Sequence, residues 1–130
     1  MSNPSDDVRN WQVLVIEDSR ELADIVRHLL TAEGAKVYVA ATGEDAYALL
    51  ADIVPTFILL DLKLPDADGV TVLETVRSQF DPTIPIIAFT ARAHVEAREL
   101  IEQGFDGIVL KPFRMDDFIK NLRDILNEVH

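Results

Sequence analysis

The stretch FILLDLKLPDADG, residues 57–69, decides how the rest of the chain is read. Phe57, Ile58, Leu59 and Leu60 form an unbroken apolar run, and Asp61 stands where the run stops. A run so short and so continuous reads as a strand covered on both faces. An aspartate after a strand is commonly a turn residue or a helix cap. It can also be a reactive carboxylate presented by a buried strand. The residues that end the other strands separate these two readings.

Four more runs rich in β-branched residues surround the first: QVLVI (12–16), KVYVA (36–40), IIAF (86–89) and GIVL (107–110). Helical patterns alternate with them. This order predicts an α/β chain of (βα)5 type, an open, doubly wound five-stranded parallel sheet with right-handed crossovers and helices on both faces. KVYVA is the most mixed of the runs and suits a strand near a sheet edge. The other four are almost wholly apolar, as strands buried on both faces should be. Ser19 is placed to cap the first helix, whose Leu22, Ile25, Val26 and Leu29 form one face and which Gly34 ends. Thr42 with Asp45 resembles a capping box for the second. In the last helix Met115, Phe118, Ile119, Leu122, Leu126 and Val129 make a stripe at helical spacing, read as core packing. Residues 1–10 read as a flexible tail and 11–130 as one domain, without repeat or linker.

In open α/β sheets, sites form beyond the carboxyl ends of the strands. Glu17 and Asp18 follow the first strand, Asp61 the third, Thr90 the fourth and Lys111 the fifth. The second ends in ATG and brings no charge. Each residue has an ordinary explanation alone: Glu17 and Asp18 favour a helix start, Thr90 caps a helix, Lys111 is a solvated lysine. None of these explanations predicts the others. Their joint occurrence on one rim favours a site.

The chemistry of such a cluster is restrictive. Three neighbouring carboxylates raise one another's pKa unless a cation joins them. A hard divalent ion with oxygen ligands resolves the conflict, and Mg²⁺ suits a site with few protein ligands. Lys111 then brings the formal charge of three carboxylates, one Mg²⁺ and one ammonium to zero. Metal, ammonium and hydroxyl together suit the oxygens of a phosphoryl group, with Asp61 in reach as nucleophile. The product, a mixed anhydride, is labile in water and fits a transient signal.

Composition removes other classes. The net charge is −11, from 23 acidic against 12 basic residues, which repels a phosphate backbone and argues against direct nucleic-acid binding. With 0 Cys there is no disulfide, thiolate zinc site or cysteine nucleophile. No apolar run has the length of a membrane span, and the start MSNPSDDVRN does not read as a signal peptide. The expected location is the cytoplasm.

At this point the residues resemble the receiver domain of two-component response regulators, the CheY-like family, over 11–130. The resemblance is carried by IEDS (16–19), LLDLKLPDADG (59–69), FTA (89–91) and LKPF (110–113). It implies a flavodoxin-like sheet of strand order 2-1-3-4-5. It also implies that Asp61 accepts a phosphoryl group from a phosphohistidine on a sensor histidine kinase or histidine phosphotransfer protein. Asp18 and Asp61 would bind Mg²⁺ directly, Glu17 through water and Lys63 through its backbone carbonyl. Thr90 and Lys111 would contact the phosphoryl oxygens, small Ala91 would keep the approach open, and the bond before Pro112 would be cis. Downstream signalling would use the face of the fourth helix, fifth strand and fifth helix, with Thr90 as a switch residue. The family's usual aromatic three residues before the lysine is Ile108 here, so the aromatic half of that switch is missing. Phe105 is out of register with that position. Lys63 and Arg92 flank the expected pocket, as tuning residues or as solvated surface groups. His28, His94 and His130 lack metal-ligand spacing, and Trp11 packs at the start of the first strand.

The resemblance makes the chain a signalling phosphoacceptor rather than an enzyme with turnover. A phosphohydrolase with an aspartyl-phosphate intermediate is the enzymatic alternative, but it would want an acid where Lys63 stands. A phosphorylation-independent interaction module draws support only from Ile108. Flavin binding lacks a phosphate-cradling loop after the first strand.

Overall fold

The computed structural model describes residues 7–91 and 97–129. Among the described residues a 3-10 turn, Val8–Asn10, is followed by alternating strands and helices. The elements are β1 (Gln12–Ile16), α1 (Arg20–Ala32), β2 (Lys36–Ala40), α2 (Gly43–Leu50), β3 (Phe57–Asp61), α3 (Gly69–Gln79), β4 (Ile86–Thr90), α4 (Ala97–Gln103), β5 (Gly107–Leu110) and α5 (Met115–Val129). All four strand pairings are parallel and the sheet order is β2-β1-β3-β4-β5. This is the doubly wound arrangement expected from the alternation of apolar runs and helices.

Side-chain alternation along the strands divides the core in two. Val13, Val15, Phe57, Leu59, Ile87, Phe89 and Val109 pack under α1 and α5, against Val26, Leu30, Phe118, Leu122 and Leu126. Leu14, Ile16, Ile58, Leu60, Ile86 and Ala88 pack on the other face with Ala46, Val72, Val76 and Leu100. Every residue of β3 and β4 is buried. The strand that carries Asp61 is therefore fixed from both sides.

The caps form where the sequence places them. Ser19 Oγ accepts from the Leu22 N–H at 3.3 Å, and Thr42 Oγ1 from the Asp45 N–H at 3.0 Å. Gly34 lies just past α1 with φ +97°, a backbone region that side chains disfavour.

Three expectations need correction. The tail is ordered from Asp7 onward: Asp7 caps the 3-10 turn, and Val8 is buried beside Trp11. Trp11 anchors that turn by an edge-to-face contact with Phe57 at 5.2 Å. Residues 1–6 lie outside the described residues. The fifth apolar run is not covered on both faces. β5 closes one edge of the sheet, which leaves Ile108 and Leu110 partly exposed. The α5 stripe is also shorter than its periodicity suggests, since Met115 is 58% exposed and Val129 37%. A helix of 15 residues is about 22 Å long, whereas strands of five residues span about 16 Å, so both helix ends overhang the sheet.

A staple with no local sequence signature holds the opposite rim. The Arg77 guanidinium donates to the carbonyls of Pro82, Ile84 and Gly104 and to Asp106 Oδ2. Asp106 Oδ2 also accepts from the Ile86 N–H at 2.8 Å. α3 is thereby tied to the starts of β4 and β5.

Candidate functional site

The rim residues converge. Carboxylate oxygens of Glu17, Asp18 and Asp61 lie within 4.8 Å of one another. Asp18, Asp61, Lys63, Thr90, Ala91 and Lys111 line a cleft of about 340 Å³. Asp18 is exposed, whereas Glu17, Asp61 and Thr90 are 2%, 8% and 4% exposed. Strand ends deliver each of them: β1 runs into Glu17 and Asp18, β3 ends on Asp61, β4 on Thr90, and Lys111 follows β5. The Lys111 N–H donates to the Thr90 carbonyl at 2.8 Å, which locks the last two ends together. The Lys111–Pro112 peptide is cis.

Buried carboxylates need partners, and these are specific. Lys111 Nζ donates to Glu17 Oε1 at 2.6 Å and stands 3.5 Å from Asp61 Oδ1. Glu17 Oε2 accepts from the Ser19 N–H at 3.0 Å. Asp61 Oδ1 accepts from the Lys63 N–H at 3.1 Å. Glu17 therefore has both oxygens engaged, which suits contact with an ion through water. Asp18 faces solvent and Asp61 the cleft, a donor set of hard oxygens that fits Mg²⁺. Among the described residues one ammonium faces three carboxylates, and this imbalance is the structural argument for a further cation.

The loop after β3 is shaped by its acidic residues. Asp68 caps α3 by accepting from the Thr71 N–H at 2.8 Å. Asp66 accepts from the N–H groups of Gly43 and Glu44, at 2.9 and 3.1 Å, and so caps α2 from outside. Those two backbone donors hold the Asp66 carboxyl below its ordinary range. Gly69 matters because a Cβ there would lie 2.9 Å from Leu62 Cα and 3.2 Å from the Asp61 carbonyl oxygen. Gly69→Ala should push that backbone away. A loss of about 1–3 kcal/mol in urea unfolding is expected. An unchanged unfolding midpoint would show that the loop yields freely.

The family model for the response regulator receiver domain matches residues 13–123. The chain belongs to this family. The receiver domain is 38% identical over 112 residues to the transcriptional regulatory protein KdpE of Mycobacterium tuberculosis (strain ATCC 25618 / H37Rv), covering 85% of this chain and 49% of that protein. It is 37% identical over 120 residues to CpxR of Klebsiella pneumoniae subsp. pneumoniae (strain HS11286), covering 92% and 50%. The chain thus spans about half the length of these relatives. Among solved structures, it superposes on the chemotaxis response regulator CheY4 of Vibrio cholerae with TM-score 0.82 at 27% identity, covering 88% of this chain and 98% of that one. The receiver domain of the sensor histidine kinase PA1611 from Pseudomonas aeruginosa PAO1, a structure with magnesium in its active-site cleft, gives TM-score 0.79 at 26% identity, covering 90% and 98%.

Other residues singled out in the sequence fall around this centre. The Lys63 side chain is exposed and Ala91 sits at the cleft wall. Arg92, His94 and His130 lie outside the described residues. Ile108 is partly buried and packs toward the α2–α4 side. Phe105 is buried in that same core. His28 lies on the exposed side of α1, away from the acidic cluster.

Proposed function

We infer that this receiver domain is a Mg²⁺-dependent phosphoacceptor. Asp61 takes a phosphoryl group from a phosphohistidine on a sensor histidine kinase or phosphotransfer protein. The convergence of Glu17, Asp18, Asp61 and Lys111 carries this reading. Asp61 Oδ1 is held by the Lys63 N–H and faces Lys111, which leaves Oδ2 as the attacking atom. An Oδ2–P bond forms as the donor's P–N bond breaks, and the imidazole leaves with a proton. Lys111 turns from Asp61 toward the new phosphoryl oxygens, and the Thr90 hydroxyl donates to another. Mg²⁺, when bound, would neutralise negative charge on the phosphoryl oxygens and orient the donor; Asp18, Asp61 and the Lys63 carbonyl would hold it, with Glu17 acting through water. The chain turns over no substrate of its own beyond its acyl phosphate.

Signalling follows from the added charge, roughly −1.5 to −2. Thr90 moves toward the phosphate and biases the α4–β5–α5 face that partners read. Ile108 has no ring to flip, so it takes part through packing alone. No described helix is long and apolar enough to cross a membrane. The cytoplasm, where phosphohistidine donors act, is the proposed location.

Incubation with acetyl phosphate and Mg²⁺ should add a single phosphoryl group, read as intact mass. Chelating the metal should prevent it. No addition under either condition would remove the reading.

A further inference from the structure

Lys111 has to cross the end of β4 to reach the acidic cluster, and what it crosses is an aromatic ring. The sheet order places β3 between β1 and β4, so Glu17 and Phe89 stand on opposite sides of the strand that ends in Asp61. Phe89 is the register partner of Asp61, so both side chains rise on the same face of the sheet. Lys111 lies two residues beyond Val109 and continues on that face. Its Nζ sits 4.7 Å from the centroid of the Phe89 ring, within the range of a cation–π contact. The same nitrogen is 2.6 Å from Glu17 and 3.5 Å from Asp61.

We propose that Phe89 is a positioning residue for Lys111, its ring holding the ammonium beside Asp61 against the pull of Glu17. The lysine stem is flexible, and its closest anion is Glu17 rather than the acceptor. An aliphatic side chain at position 89 would leave an apolar floor that costs desolvation and returns no attraction. A ring face returns that attraction from the side opposite Glu17. The ring is also held: Phe89 is fully buried, 5.7 Å from the Phe113 ring, which lies tilted against Phe118 of α5 at 4.6 Å. Its face cannot turn away without disturbing that aromatic cluster.

The test replaces the phenylalanine at position 89 alone with 4-fluoro- and 3,4,5-trifluorophenylalanine, which drain charge from the ring face while keeping its shape. Phosphorylation by acetyl phosphate should slow in steps with fluorine count, reaching about tenfold for the trifluoro form, at a constant unfolding midpoint. Phe89→Leu should slow it at least as much. Without donor or metal, the Lys111 ε-methylene protons of the parent should show an upfield ring-current shift in NMR spectra. That shift should shrink along the same series. Equal rates and shifts across the fluorinated forms would overturn the proposal, as would slowing that follows a falling midpoint rather than the fluorine count. If Phe89→Leu does not fold, the fluorinated forms still decide. The proposal rests on the phosphoacceptor reading, and the two fail separately. A parent that takes up no phosphate removes that reading, whereas a parent that does, with unaffected fluorinated forms, removes only the role of Phe89.

Discussion

Asp61→Asn should take up no phosphoryl group from acetyl phosphate, and the variant should fold at least as stably as the parent. The amide is the shape of the carboxylate but a far weaker nucleophile, so acceptance is lost outright. Its Oδ1 can still accept from the Lys63 N–H, now 3.1 Å from the carboxylate oxygen, so the loop keeps its anchor. Stability responds to charge. Asp61 is buried and, among the described residues, shares a 4.8 Å cluster with two other carboxylates, against the Lys111 ammonium. Removing one negative charge relieves more repulsion than the attraction it forfeits, which favours the folded state by about 1 kcal/mol. Urea unfolding without Mg²⁺ reads this directly. Any stabilising effect of Mg²⁺ should also shrink, because a proposed metal ligand has been neutralised. A single phosphoryl group that still adds to the variant would move the acceptor to another residue.

This separation of activity from stability also marks what could be read from one dimension. Each strand could be recognised by its own apolar run, and each announced its rim residue by ending there. Ser19 and Thr42 cap helices three residues away, within the span that a local pattern covers. The edge position of β2 followed from its mixed composition, yet β5 is an edge strand with an apolar sequence. Its exposure comes from sheet order, which no property of GIVL encodes. Asp66 and Arg77 escaped for a similar reason. Asp66 caps a helix that begins 23 residues before it, and Arg77 reaches Asp106 across 29. An Asp in a turn and an Arg on a helix are ordinary until the fold brings their partners close. Glu17 was legible as an acid at a strand end, but its near-complete burial was not. That burial follows from the 2.6 Å contact with a lysine 94 residues away.

The burial of Glu17 makes Lys111→Met the most damaging single change at the site. The two side chains are 1% and 20% exposed, so the pair is largely shielded from water. Methionine matches the lysine stem and can lie on Phe89, but among the described residues it leaves Glu17 only the Ser19 N–H. An uncompensated buried carboxylate costs about 3–5 kcal/mol, and the partial exposure of Lys111 places this case near 3. The cluster also loses the close cation that Lys111 supplies, so the three acids press harder on one another. Two opposite consequences then distinguish this mechanism from simple loss of packing. Phosphorylation should fall by about 10²- to 10³-fold, the usual effect of deleting one charge-stabilising donor. Mg²⁺, by contrast, should bind more tightly and raise the unfolding midpoint more than in the parent, since it replaces the missing positive charge without competing against an ammonium. Urea titrations at several Mg²⁺ concentrations measure both stability terms. A Mg²⁺ response no larger than that of the parent would mean that Lys111 does not share its anions with the metal.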